Sequence, residues 1–392
     1  GETVSTAYLP SVFAGAGLVA IFAAVLSARL MYGLIGPQTA FVGHLLTAAL
    51  AIGLGWFYGP LLAAVGLLGA AVAPFIVDAG TEAAAWLYGY YAVLAIVGLA
   101  VDTLRRWAWL SVLGLVLGYG GGLLSLWAGA GETGWIALLV ALPLLAVMIP
   151  DRALIPRQDG PCLLLAGWTR AAVSFPVMLA FASLLVSSAG LAMQAGAAPA
   201  VAVLAFGALV ALALAYLLWA DRAEGLADLG FIPAVALWLV LAMQGLVAMP
   251  LAREFAVAAL RGPEVAAPKT VTLLLAMVAL VSLAFALRSF RAGALALAYA
   301  LAAVLVAPVA AVILELFWQP GLVIGQYPWA LHVIALAAAM VALALRYGGL
   351  DADKRRVAYA TLSALSLIGL ALLLITTKTA LTLALAVLAT VA

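Results

Sequence analysis

Apolar residues in this chain arrive in blocks of about 20 separated by short polar punctuation, the length a helix needs to cross the hydrocarbon core of a bilayer. Inside lipid every backbone N–H and C=O must be satisfied by the chain itself, so a spanning block is either a helix or a strand of a closed barrel. Barrel strands alternate apolar and polar residues, whereas VTLLLAMVALVSLAFAL (271–287) shows no alternation. Charged residues make up 8% of the 392, against about 25% in an ordinary soluble domain, too few to cover a water-exposed surface. The expected fold class is an all-α, polytopic transmembrane helical bundle.

Apolar length and loop punctuation predict spans at 8–30, 38–57, 60–77, 82–101, 107–128, 134–150, 168–189, 198–219, 230–250, 270–288, 293–315, 328–346 and 357–376, with a fourteenth beginning after Lys378. Strict alternation puts Arg105, Arg106, Arg152, Arg157, Arg170, Arg222, Arg288, Arg291, Arg346, Lys354, Arg355 and Arg356 on one side. Arg29, Arg253, Arg261, Lys269 and Lys378 fall on the other. Cytoplasmic loops collect Lys and Arg, so the first side is read as cytoplasmic. Omitting or adding one helix in the middle would scramble that bias.

Three regions are expected: a first sub-bundle at 1–150, a cytoplasmic loop with an interfacial segment at 151–168, and a second sub-bundle at 169–392. The loop is DRALIPRQDGP (151–161), and PCLLLAGW (161–168) is expected to lie along the interface. On the outer side, LAREFAVAALRGPEVAAPK (251–269) places Leu251, Phe255, Ala258 and Ala259 on one helical face, as an interfacial helix would; a solvated connector fits equally. The chain opens with Gly1, and LTLALAVLATVA (381–392) stops short of a crossing, so both ends are expected to be cut.

Chemistry-bearing motifs are sparse. There is no HExxH, phosphate loop or nucleotide-binding glycine fingerprint, and two histidines with the lone Cys162 leave little scope for a metal site. No nucleophile, base and charge stabiliser can be assembled from residues that must be neighbours. No catalytic residue, metal or cofactor is therefore expected. A net charge of +2 gives no reason to expect nucleic acid as a partner.

Two stretches stand out. In LGLVLGYGGG (113–122), Gly114, Gly118 and Gly122 share one helical face, where missing side chains let a neighbouring helix approach closely; a flexible point in a moving helix is the alternative. In GLLGAAVAPFIVDAGTEAAAWLYGYYAV (66–93), Pro74 is expected to kink or end the third helix. Asp78, Gly80 and Thr81 then supply turn and cap chemistry, and Glu82 favours the positive end of the fourth helix. Trp86, Tyr88, Tyr90 and Tyr91 follow, where ring side chains prefer the headgroup level.

The alternating topology also places Arg29, His44, Asp78, Glu82, Glu315 and His332 toward one membrane face, the outer one. Ionisable groups at membrane depth are expensive and face a cavity, a partner or a pathway. These six are the candidate outward-facing polar pocket, with carboxylates and histidines as proton or cation partners and Arg29 as an anion clamp.

The run FAGAGLVAIFAAVLSARLMYGLIGP (13–37), then AFVGHLLTAALAIGLGWFYGPLLAAVGLLGAAVAPFIVDAGT (40–81), then LYGYYAVLAIVGLAVDTLRRWAWLSVLGLVLG (87–118) resembles the bacterial predicted membrane proteins grouped as domain of unknown function 2339 (DUF2339). The family pattern has an aromatic and GP turn, a hairpin of the form LGLxGGFxxPxLxxxG, and a tyrosine-bearing helix ending in a basic, Trp-containing turn. Gly36 and Pro37 match the first element. Gly66, Leu67, Gly69, Pro74 and Gly80 match the hairpin, and Tyr90, Tyr91, Arg105, Arg106 and Trp107 match the last element. Ala70 and Ala71 depart from it. The specific similarity covers about residues 10–120. It implies a multi-pass protein of the bacterial cytoplasmic (inner) membrane and transfers no catalytic residue.

Two functional classes stay open. One is a transporter or lipid-handling protein using the polar pocket. The other is a non-catalytic scaffold or accessory subunit, built on abundant small-residue packing faces. Membrane lipids are expected partners in both, and other membrane subunits in the second.

Overall fold

The computed structural model describes residues 9–77, 85–260, 268–291, 293–350 and 354–376. Among these, every regular element is helical. Contacts divide the chain into two compact units. The first comprises the residues up to Pro156 together with Met178–Ser183, and the second Arg157–Val177 together with the residues from Leu184 onward.

The first unit contains α1 (Leu9–Leu30), α2 (Pro37–Tyr58), α3 (Pro60–Val77), α4 (Trp86–Arg105), α5 (Ala108–Trp127) and α6 (Glu132–Asp151). The second is built from α7 (Leu163–Thr169), α8 (Phe175–Met193), α9 (Pro199–Trp219), α10 (Phe231–Leu246), α11 (Pro250–Val257), α12 (Thr270–Ser289), α13 (Ala296–Trp318), α14 (Pro320–Ile324), α15 (Gln326–Leu350) and α16 (Arg355–Ile375), with the middle of α8 packing in the first unit. Twelve helices among the described residues are long and apolar enough to cross a membrane; α3 is a shorter apolar helix, and the expected crossing after Lys378 lies outside the described residues.

Sequential neighbours pair as hairpins: α2 with α3, α4 with α5, α12 with α13, and α15 with α16. Proline opens α2, α8, α9, α11 and α14 in the first two positions, where its missing N–H is no loss. At the other ends, Arg106, Arg152 and Arg170 adopt left-handed backbone with φ of 60°, 51° and 56°. These arginines sit where cations complement the negative helix terminus. Arg152 also donates to the Thr103 carbonyl at 3.2 Å, and Arg105 to the Trp56 carbonyl, occupying acceptors left over at helix ends.

Helices in oil gain nothing from burying apolar surface against one another, so close approach and hydrogen bonds supply the cohesion. The α4–α5 pair shows the first device. A Cβ on Gly98 would stand 2.8 Å from the Gly114 Cα, and one on Gly114 would stand 3.0 Å from the Gly98 Cα, so the two backbones touch. Gly118 faces Ala95 and Leu142, while Gly122 lies under Leu138 and Trp135 of α6. Gly121 is covered by the Tyr91 ring.

The second device surrounds Pro74. This proline lies inside α3, which runs on to Val77, so it does not end the helix. Lacking an N–H, it leaves the carbonyl of Ala70, four residues back, without its helical donor. The Tyr90 hydroxyl donates to that oxygen at 2.6 Å, and the Tyr91 hydroxyl donates to Ala71 at 2.8 Å. Tyr91 is fully buried and Tyr88, also buried, donates to the Gly131 carbonyl at 2.7 Å. These tyrosines therefore tie helices together, a role beyond the headgroup-level preference expected of their rings, while Trp86 is 56% exposed.

The seventh predicted span also moves. The apolar run at 163–168 forms the separate short helix α7, and α8 begins only at Phe175. Left-handed Arg170 breaks the chain between them, and extended Ser174 with Pro176 restarts it. The short helix α11 buries Leu251, Ala252 and Phe255, and Phe255 packs on Trp318 with ring centroids 5.7 Å apart.

Candidate functional site

Three loops of the second unit, distant in sequence, converge on a cavity of about 350 Å³. Its wall includes Pro161 and Cys162 before α7, Asp221 and Glu224 after α9, and Arg288, Arg291 and Tyr299 around the α12–α13 turn. The loops are stitched to one another. Gly225 donates its N–H to the Gln158 carbonyl at 3.1 Å, and the Tyr299 hydroxyl donates to the Ala227 carbonyl at 2.7 Å. Asp228, buried behind the wall, accepts from the Leu164 amide at 2.7 Å and from the Cys162 thiol, fixing the start of α7.

Electrostatically the cavity is organised around Asp221. Arg288 binds one carboxylate oxygen and Arg291 the other, with side chains 11% and 61% exposed. The Arg288 guanidinium also stands 5.8 Å from the centre of the Tyr299 ring, a cation–π distance. Its buried Nε has no hydrogen-bond partner. A guanidinium carries five donors, so one shared carboxylate leaves donor capacity on both arginines. Exposed Glu224 adds a second negative charge to the lining. Such an arrangement can take up a phosphate or carboxylate in the geometry arginine prefers.

Cys162 is fully buried, and burial, reinforced by the Asp228 carboxylate, pushes its thiol above the ordinary range. The reactive thiolate then forms only at higher pH than for a free cysteine. Maleimide labelling of the folded protein at pH 7 should be at least about tenfold slower than labelling of a free thiol, and should rise as pH climbs past the usual thiol range. Labelling at the free-thiol rate would contradict this burial.

The six residues expected to form an outer pocket are distributed as follows. Glu315 and His332 belong to the second unit and converge on the buried Trp329. The Trp329 indole N–H donates to Glu315 Oε2 at 2.7 Å, and the His332 ring centre lies 5.9 Å from that of Trp329. His332 Nδ1 is 2.7 Å from the Pro328 carbonyl, which can only accept, so this nitrogen carries the proton. Its Nε2 meets the Thr272 hydroxyl at 2.9 Å. Arg29 and His44 belong to the first unit. His44 is buried, stacks on Phe22 with centroids 5.6 Å apart, and has no hydrogen-bond partner on either ring nitrogen; the buried Arg29 Nε has none either. Asp78 and Glu82 lie outside the described residues. Among the described residues no three His, Cys, Asp or Glu side chains group as metal ligands.

The family model described as "Predicted membrane protein (DUF2339)" matches residues 3–302. No curated protein matches the chain, and no solved structure does.

Proposed function

The chain belongs to the DUF2339 family of predicted membrane proteins, and from that premise we propose that it transports or handles a phosphate- or carboxylate-bearing solute or lipid headgroup, held at the Arg288–Arg291–Asp221 cavity. The observation that carries this reading is the pair of arginines on one carboxylate, with unspent donors, lining a space of about 350 Å³ among the loops that join spanning helices. That volume falls within the range of small-molecule sites. A purely structural ion pair needs no such space beside it. In this reading the cavity faces the cytoplasm of a bacterium, on the strength of the Lys and Arg bias. The Glu315–Trp329–His332 cluster at the other ends of α12, α13 and α15 supplies polar contacts near the opposite face.

The test is thermal unfolding of the purified protein with inorganic phosphate, glycerol 3-phosphate or acetate, and in micelles doped with phosphatidylethanolamine. One of these should raise the midpoint by about 3 °C or more, and Arg291→Gln, at an exposed position, should abolish the rise. Soluble phosphates acting alone would identify a solute, and the doped micelles alone a headgroup. No shift with any of them, or an equal shift in Arg291→Gln, would overturn the proposal.

A second reading, a non-catalytic subunit of a larger membrane complex, is favoured by α1. Only 6% of its spanning window is buried, against 28–61% for the other eleven, and a Cβ on Gly15 or Gly17 would meet nothing within 4 Å. Gly15→Leu and Gly17→Leu would then dislodge a stoichiometric partner without lowering the stability of the chain.

A further inference from the structure

The second unit carries another recess, with a different chemistry. Between α12, α13 and α15 runs an open groove of about 400 Å³. Its floor is small, formed by Ala303 and Ala307 of α13, and Leu283, Leu287 and Leu336 form its flanks. The Ser282 hydroxyl in the lining donates to the Ala303 carbonyl and accepts from the Ala307 amide, so it offers little to a polar ligand. Along α12 the lining extends from Ala279 to Phe290. Eleven steps at 1.5 Å make about 16 Å, close to one leaflet of a hydrocarbon core about 30 Å thick.

One end of the groove is charged. Arg346 lines it, is exposed, and makes no hydrogen bond or ion pair with any described residue. It lies one residue before Tyr347, whose hydroxyl is 2.6 Å from the Ser289 hydroxyl at the end of α12. Arg346 therefore sits level with the helix ends, where the hydrocarbon gives way to headgroups. A guanidinium at that level is placed to meet lipid phosphates, and the recess beneath it is apolar.

We propose that this groove is a specific site for an anionic phospholipid, with one acyl chain lying against Ala303 and Ala307 and the phosphate paired with Arg346. The proposal does not depend on what occupies the Arg288–Arg291 cavity, which it leaves untouched. Water is a poor occupant of the groove below Arg346, because the side chains there are apolar and Ser282 is already engaged. An acyl chain fills the length, and the Arg346 guanidinium favours a headgroup of net negative charge over a zwitterionic one.

The full chain would be purified in mild detergent, loaded with dioleoyl phosphatidylglycerol or dioleoyl phosphatidylcholine, and examined by native mass spectrometry. Wild type should retain phosphatidylglycerol preferentially. Arg346→Gln should reduce that retention roughly tenfold while sparing phosphatidylcholine. Ala339→Phe and Ala342→Phe, at exposed lining positions where a ring fills the groove without entering the core, should each reduce retention of both lipids. Equal retention by wild type and Arg346→Gln would overturn the proposal. So would loss in Arg346→Gln with full retention in both phenylalanine variants, because the guanidinium would then be acting as surface charge without a groove.

Discussion

Gly114→Leu should pry α5 from α4 and destabilise the protein by about 3 kcal/mol or more, the upper end for overpacking, because its new side chain would meet backbone. The Gly98 Cα lies 3.0 Å from where the Gly114 Cβ would be, and the Ala95 carbonyl oxygen 3.3 Å. No rotamer change can move those atoms; the helix itself must shift, taking with it the contact between Gly118 and Ala95. Gly98→Leu should cost a similar amount, and the double variant should cost less than the sum, since either leucine alone already separates the pair. Gly120→Leu supplies the control, because a Cβ there meets nothing within 4 Å. Unfolding in mixed micelles, followed by far-ultraviolet circular dichroism, measures all four. A Gly114→Leu protein as stable as Gly120→Leu would refute the backbone contact.

The next largest effect is expected at Tyr90. Tyr90→Phe removes the hydroxyl that occupies the Ala70 carbonyl, leaving a half-buried acceptor without a donor, at a cost of about 1–3 kcal/mol. What makes the prediction specific is its dependence on a residue Tyr90 does not touch through that bond. Pro74→Ala returns an N–H to α3 and lets the helix satisfy Ala70 internally. In that background Tyr90→Phe should cost less than about 0.5 kcal/mol, a coupling readable from a double-mutant cycle. Equal costs in the two backgrounds would mean that the hydroxyl does not compensate for the proline.

These two contacts also mark where sequence reasoning runs out. Length and apolarity announce each crossing, because no other element can pass through oil, and the glycine face of α5 is visible as a four-residue spacing. The partner Gly98 is not, since nothing local says which helix will lie against that face. Tyr90 and Tyr91 look like interfacial rings because their sequence neighbours are turn residues; their use as donors to α3 depends on how the chain folds back. The start of α8 differs for a related reason: hydropathy sets 161–168 apart but opens the next crossing at 168, without recording that left-handed Arg170 and extended Ser174 delay it to Phe175.

The arginine-lined cavity was the least legible feature. Asp221, Arg288 and Arg291 each read as ordinary charges at helix ends, where dipoles and headgroups already account for them. Only the convergence of three loops turns them into a site. The nearest sequence signal is two arginines three residues apart beside a turn, too common to single out. Of the outer group, Glu315 and His332 do meet at Trp329, a residue that sequence gave no reason to select.

The bareness of α1 has a practical consequence. With 6% of its spanning window buried, α1 depends on whatever surrounds the chain, lipid or partner, more than the other spanning helices do. Harsh solubilisation strips away that support before it disturbs α12 or α13, so α1 should be the first element to detach, and preparations in lipid nanodiscs should keep it where short-chain detergents lose it.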